Sequence, residues 1–554
     1  MKKTLPKRFQ HPYKFDKKYS KPVVYFSMEF AIDQSLKIYS GGLGYLAGSH
    51  MRSAYELKQN MIGIGILWKK GYFDQSLNED LTMNVQFRDK HYHFLEDTGI
   101  KFKILINNHD VWVKAMYLNP KTFGTVPMFF LSTDLPENDY LARSTTDRLY
   151  DFEPKAKIAS TMVLGIGGAK LLDELNYDPD IYHINEAHAL PVAFHLYKKY
   201  GTAAKVRKKM VFTTHTPEEA GNDKNDINLL NELSFFAGMS MNEVRRFTGA
   251  KDNVFNHSLV ALRLSHAANA VSKLHGAVAN EMWKEYEGIC PIDYITNSQN
   301  KKYWADYLLD DARIKKDWDA LIERKKYLKR KLFEHVADET GKIFDPNILT
   351  IVWARRFAGY KRADLITHDR DRFLRILNDP NRPVQIIFAG KPYPMDFYGI
   401  QIFEQLAHMA QDISNMAVLT GYELKLSKKL KAGADIWLNT PRVTREASGT
   451  SGMSAAMNGA VNFSTNDGWV REFKEMNKKK NSFILPIVDH TLDVYEQDMM
   501  DLENLYDVLE NEVIPLYYDH PKKWWDLVET SMSQVVPYFD SDRMADEYYT
   551  KLYK

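Results

Sequence analysis

The sequence predicts an α/β protein of two large domains, each built on a largely parallel sheet with helices on both faces. Three observations carry that expectation. The chain has 554 residues, more than one hydrophobic core usually supports. Short apolar runs of strand length recur in both halves and are separated by helical lengths, the pattern of β–α–β units. Glycine-rich or charged clusters stand directly after several of these runs, where open α/β sheets collect their ligands.

Composition narrows the class. A hydrophobic fraction of 44% with 13% aromatics indicates a folded globular chain. The 74 basic and 72 acidic residues leave a net charge of +2, so no global field recruits nucleic acid or a membrane surface. Runs such as Arg324-Lys325-Lys326 and Lys478-Lys479-Lys480 read as solvated faces. The single cysteine, Cys290, excludes an internal disulfide, and no metal-ligand spacing is present. The basic start Met1–Arg8 is not followed by the apolar stretch of a signal peptide, and no run of about 18 apolar residues occurs. A soluble cytoplasmic protein is expected.

In chain order, Pro22–Glu29 reads as a strand, followed by the turn Ser40-Gly41-Gly42-Leu43-Gly44. Gly41, Gly42 and Gly44 suit a backbone that turns tightly and approaches a ligand before a helix begins. The spacing matches neither a Walker loop nor a dinucleotide fingerprint. Residues 61–67, 102–106 and 111–116 read as further strands, and 159–172 as a glycine-bearing helix. Asp180–His188 brings His183, Glu186 and His188 to the end of a short strand. Lys209–Thr214 is the next strand and ends at His215. Core or sugar-contacting roles fit these histidines better than a metal site, because metal spacing is lacking.

A second β–α series starts near Ile292–Asn297 and includes strands at 348–354, 384–390 and 416–420. Directly after the first of these three comes Arg355-Arg356-Phe357-Ala358-Gly359-Tyr360-Lys361-Arg362. Four cations at a strand end are costly unless they meet an anion, and Arg356 with Lys361 forms a suitable phosphate-holding pair. Residues 434–439 read as a strand that leads into Arg445–Gly459, with Glu446, a Ser-Gly-Thr-Ser-Gly turn containing Gly449 and Thr450, and a small-residue helix. Exposed turn amides and a helix start suit an oxygen-rich anion, and Glu446 can accept hydrogen bonds from sugar hydroxyls. An ordinary strand-to-helix connection would use many of the same residue types. Near the C-terminus, Met544, Tyr548 and Leu552 fall on one helical stripe suited to docking.

Taken together, these segments resemble the α-glucan phosphorylases, the family of glycogen and maltodextrin phosphorylase, and look most like its short members. The resemblance runs in order through Ser40–Leu46, Leu164–Leu172, Tyr182–His188, Thr214–Thr216, Ile295–Trp304, Arg355–Arg362 and Glu446–Gly468. It implies the GT-B architecture, two Rossmann-like, doubly wound domains facing across a cleft. The expected division is 1–290 for the acceptor side and 291–520 for the donor side, with 521–554 docking back on the first domain. By resemblance, His215 contacts the donor sugar and lends a backbone carbonyl near the reacting carbon. Arg356 and Lys361 hold phosphate, Glu446 binds sugar hydroxyls, and Gly449 and Thr450 line the phosphate pocket. Glu186, His188, Asn297 and Tyr422 fall at further substrate positions. The implied partners are a sugar phosphate or nucleotide sugar as donor and an α-glucan or oligosaccharide as acceptor, in a possible homo-oligomer.

One departure matters chemically. Phosphorylases carry a lysine in the Gly-Thr helix that forms a Schiff base with pyridoxal phosphate, and the matching residue here is Ser454. A hydroxyl cannot form an imine, so no covalent pyridoxal phosphate is expected at this position. Ser298 also stands where the family usually has glycine after Asn297. Three readings remain open: a transferase using a nucleotide-diphosphate sugar, a phosphorylase whose cofactor is non-covalent or absent, and an inactive glucan-binding or regulatory protein.

Overall fold

The computed structural model describes residues 3–476, 478–489 and 491–554. They divide into two compact units. The first comprises Met1–Phe73, Phe87–Asn297 and Ser541–Lys554, and the second comprises Asp74–Gln86 and Ser298–Asp540.

Among the described residues, the first unit carries a nine-stranded sheet. In chain order its strands are β1 (Val23–Phe26), β2 (Met61–Ile66), β3 (Glu96–Ile106), β4 (His109–Leu118), β5 (Met128–Ser132), β6 (Ile181–Asn185), β7 (Met210–Thr213), β8 (Ala267–Ala270) and β9 (Ile292–Tyr294). Their spatial order is β9-β8-β7-β6-β1-β2-β5-β4-β3. The ladder is parallel from β9 to β5 and antiparallel at β5/β4 and β4/β3. Strands β1, β2 and β5 are buried along their whole length, which is why they read as continuous apolar runs. By contrast β3 alternates buried and exposed residues, as an antiparallel edge with one wet face should.

Residues 292–294 do not open the second sheet, as the sequence suggested. They form the edge strand β9, paired with β8 from Ala268↔Ile292 to Ala270↔Tyr294. Residues 541–554 also belong to this unit. Met544, Tyr548 and Leu552 are buried, and the Tyr548 hydroxyl accepts from Asn269 Nδ2 at 3.2 Å. His183 is absorbed into the same packing, its ring nitrogens facing Thr213 Oγ1 at 2.7 Å and the Tyr553 hydroxyl. The helix α1 (Gly42–Glu56) starts directly at the glycine turn.

The second unit carries a parallel sheet of β10 (Leu349–Ala354), β11 (Val384–Ala389), β12 (Met416–Leu419), β13 (Ile436–Asn439), β14 (Val461–Ser464) and β15 (Phe483–Ile484). Their order is β12-β11-β10-β13-β14-β15. The helices that bear on the site are α2 (Trp318–Thr340), α3 (Leu424–Gly433), α4 (Ser451–Ala456) and α5 (Pro521–Phe539). Helix α5 stays with this unit because Trp524, Leu527, Val528 and Met532 enter its core beside Leu505 and Phe463.

The basic run at 324–326 is not a solvated face throughout. Lys325 is 2% exposed and its ammonium donates to Ala432 O at 2.9 Å and Asn458 O at 2.8 Å. One helical turn on, Lys329 donates to Ile348 O and pairs with Asp435 at 2.6 Å. Lys325 thus satisfies carbonyls left open around the ends of α3 and α4, and Lys329 one that stands just before β10. Burial pushes Lys325 down to about 7. Among the described residues no helix is long and apolar enough to cross a membrane.

Candidate active site

In the first unit the site residues gather at the carboxyl ends of β6 and β7. Strand β6 ends at Asn185, and Glu186 then turns the chain with φ +66 and ψ 170, a region that side chains other than glycine's rarely adopt. That turn aims the Glu186 carboxylate back at the loop after β7. It accepts the His215 backbone N–H, the Thr216 hydroxyl at 3.1 Å and the Ala187 N–H at 3.3 Å. His215 Nε2 in turn meets Asn185 Oδ1 at 2.7 Å and therefore donates to it.

Burial sets the protonation of this cluster. It pushes His215 down to about 3, with His275 and His188 adding to the effect. His188 falls to about 4 by burial, and burial lifts Glu186 to about 7. At neutral pH the two imidazoles are therefore uncharged hydrogen-bonding groups. His188 Nδ1 is buried without a hydrogen-bond partner among the described residues, as is Asn297 Oδ1, and buried polar atoms left open in this way mark places where a ligand hydroxyl can bind.

The glycine turn is held by a residue that the sequence did not single out. Glu29, 2% exposed, accepts the Ser40 N–H at 2.6 Å, the Gly41 N–H at 3.1 Å and the Tyr150 hydroxyl at 2.7 Å. Gly44 is required by that carboxylate, since an added Cβ would lie 2.7 Å from Glu29 Oε2. Around Gly41 and Gly42 the space is open, with nothing within 4 Å of an added Cβ. The Gly41 amide thus serves the protein itself, while the surface above the turn stays accessible.

In the second unit the centre is Glu446. Its Oε2 lies 3.3 Å from Arg355 Nη1 and 3.3 Å from Lys361 Nζ. Burial pulls this carboxyl upward, but Lys361, Arg355 and Arg356 outweigh it and hold the group below its ordinary value. Arg355, the first residue after β10, is buried at 7% exposure, whereas Arg356 is exposed; Arg362, also buried, is taken up by Asp498 and Asp501. Arg355 Nε is buried with no hydrogen-bond partner among the described residues. A guanidinium donor held dry beside a lysine is poised for an anionic oxygen.

The Glu446 loop is shaped by its backbone. Gly449 has φ +74 and precedes Thr450, which caps α4. Tyr422 is packed in the core with its hydroxyl 3.2 Å from Ser427 Oγ, and burial raises it to about 12. The sequence reading missed Arg355 as a site residue, together with Asp467, whose Oδ2 accepts the Glu446 N–H at 3.0 Å. A carboxylate inside an apolar run, as with Glu29, is the signal that could have pointed to such buried clamps.

Comparison with known proteins places this geometry. A family model described as carbohydrate phosphorylase matches residues 293–511. Maltodextrin phosphorylase of Thermococcus litoralis is 34% identical over 595 aligned residues, covering 97% of this chain and 71% of the relative. Glycogen phosphorylase of Aquifex aeolicus is 32% identical over 613, covering 98% of this chain and 87% of the relative. The chain belongs to the carbohydrate phosphorylase family. An uncharacterised protein of Methanocaldococcus jannaschii is 46% identical over 534 residues and is covered along its whole length.

Residue 454, where the resemblance leads one to expect a lysine, is a serine. Ser454 is fully buried, and its hydroxyl donates within its own helix to Ser451 O at 3.2 Å and Thr450 O at 3.4 Å. It offers no amine, and a hydroxyl cannot form an imine. Residue 454 therefore does not fit pyridoxal phosphate held as an imine.

Proposed function

We propose that the protein is a retaining glycosyltransferase that moves an α-glucosyl unit between a phosphate leaving group and the end of an α-glucan. The observation that carries this reading is Glu446 set between Arg355 and Lys361, with the buried Arg355 Nε still open. In this reading Arg355, Arg356 and Lys361 hold the phosphate, and Gly449 with Thr450 lines its pocket. Glu446 keeps the buried cations neutralised before the phosphate arrives and then accepts sugar hydroxyls. His215 and His188, neutral at working pH, exchange hydrogen bonds with sugar hydroxyls rather than transfer charge.

The chemistry follows from those roles. The acceptor hydroxyl oxygen bonds to the anomeric carbon on the face from which the phosphate departs, and the carbon–oxygen bond to phosphate breaks. The acceptor proton passes to the departing phosphate, so the configuration is retained and no flanking carboxylate pair is needed. Fixed cations stabilise the charge that grows on the leaving oxygen.

Two donors fit this chemistry. The relatives named maltodextrin and glycogen phosphorylase support glucose 1-phosphate. Ser454 favours the second, a nucleotide-diphosphate glucose, because a site without the imine has no covalently fixed pyridoxal group. The deciding experiment supplies a short malto-oligosaccharide with either glucose 1-phosphate or a panel of nucleotide-diphosphate glucoses and follows chain length. Elongation from glucose 1-phosphate that inorganic phosphate reverses selects the phosphorylase. Elongation only from a nucleotide sugar selects the second donor, and glucan binding without elongation from any donor rejects the transferase reading.

A further inference from the structure

We propose that Asp467 is the positioning residue for Glu446, fixing its peptide so that the carboxylate stays between Arg355 and Lys361. The proposal rests on the phosphate-binding reading of those cations. Asp467 follows β14 and is 3% exposed. Its two oxygens are divided between two donors, Oδ2 taking the Glu446 N–H at 3.0 Å and Oδ1 the Gly468 N–H at 2.9 Å. The second bond closes a local turn. The first reaches back 21 residues and has no local purpose.

The neighbours of Asp467 serve the same end. Thr465 Oγ1 donates to Pro441 O at 2.8 Å, and the Trp469 N–H donates to Ser448 O at 2.9 Å. An added Cβ on Gly468 would stand 2.2 Å from Ser448 O. Residues 465–469 are thus laid directly against the loop 441–449 and act as its template. The loop needs one, because Thr444, a β-branched residue, is held at φ +77. Side-chain ion pairs alone would not hold Glu446. Both go to a single oxygen at 3.3 Å and come from long side chains with many rotamers.

Two acceptor oxygens are specifically required. Asparagine has one acceptor oxygen, so in Asp467→Asn either the Glu446 or the Gly468 N–H faces an amide donor. The test combines hydrogen exchange of the peptide covering 442–449 with a double-mutant cycle on chain elongation, using the donor that serves the wild type. Asp467→Asn and Asp467→Ser should both speed exchange in this segment and leave distant segments unchanged. Both should lower turnover on the order of tenfold or more, as expected when a buried N–H is left without its acceptor. In the Glu446→Ala background the same change should cost no more than about twofold, since Asp467 acts through Glu446. Unchanged exchange in both variants, or the same loss with and without the Glu446 side chain, overturns the proposal. If the wild type elongates with no donor, the transferase reading falls, and the exchange measurement alone still decides whether Asp467 holds the loop.

Discussion

At the carboxyl ends of β6 and β7 the polar groups are buried or half-buried and largely neutral, while at those of β10 and β13 they are ionised and range from buried Arg355 to exposed Arg356. His215 and His188 lose their charge to burial, and Glu186 titrates near neutrality. Glu446 instead keeps its charge because Lys361, Arg355 and Arg356 surround it. The difference teaches what each place can recognise. Neutral donors and acceptors suit sugar hydroxyls, which gain little from a full charge. Fixed cations suit phosphate, and burying them requires a counter-ion whenever phosphate is absent. Glu446 fills that need. The clamps do not follow that division: Glu29 and Glu186 in the first unit and Asp467 in the second all accept backbone N–H groups, and burial raises all three.

The largest effect expected from this contrast is on acid stability. His50, His188, His215, His257 and His275 are held at about 3 to 4 by burial, and His183 is pushed well below its usual value. All six lie in the first unit. Between about pH 6.5 and 4 the unfolded chain binds protons at these rings and the folded chain does not, so stability falls as pH is lowered through that window. Each ring contributes on the order of 2 kcal/mol between pH 6.5 and 5. Glu29 and Glu186, raised by burial, work the other way and offset part of the loss. Hydrogen exchange at pH 7 and pH 5 should show the first unit opening before the second. Equal loss in both units would break the contrast.

Next in size are the cations. Lys361→Ala and Arg356→Ala should each lower turnover on the order of a hundredfold or more, the usual cost of removing a charge-stabilising donor. The melting temperature should hardly change, because neither side chain is part of an apolar core. Wild-type turnover in both variants would reduce the run to a basic turn. Arg355→Ala sharpens the point: it removes the buried cation that pairs with Glu446, so both inorganic phosphate affinity, read by calorimetry, and stability should fall.

The smallest effect belongs to Ser454. Its hydroxyl makes two long bonds to carbonyls of its own helix, so Ser454→Ala should change stability by about 1 kcal/mol or less and leave turnover intact. The purified protein should show no pyridoxal absorbance, and borohydride should fix no adduct at this position. A stoichiometric imine would reject that expectation.

Much of the architecture was legible in the sequence for a physical reason. Strands buried on both faces must be apolar throughout, so β1, β2, β10 and β11 stood out as continuous runs, whereas β5, equally buried, was not singled out. Strand β9 was legible as a strand but not in its allegiance, because Ile292–Tyr294 carries no mark of which sheet it will pair with. Lys325 misled because a charge run looks solvated until two carbonyls are found waiting for one of its members. The glycine turn was visible, yet its internal partner Glu29 was not, since the contact of Glu29 with Gly41 needs the chain to fold back over 12 residues.

By itself, then, the sequence determined that this is an α/β chain, and it placed the chemistry-bearing clusters at His215, at Arg355–Arg362 and at Glu446–Thr450. Residue type and local period suffice to mark those clusters as candidates, because open α/β sheets collect ligands beyond their strand ends. Only the tertiary structure decided that Arg355, not its neighbour Arg356, pairs with Glu446, and that His183 belongs to the packing of Tyr553. It alone decided which imidazoles are neutral and which carboxylates keep their charge. Those outcomes depend on desolvation and on charges brought close from distant parts of the chain, and neither quantity exists until the chain has folded.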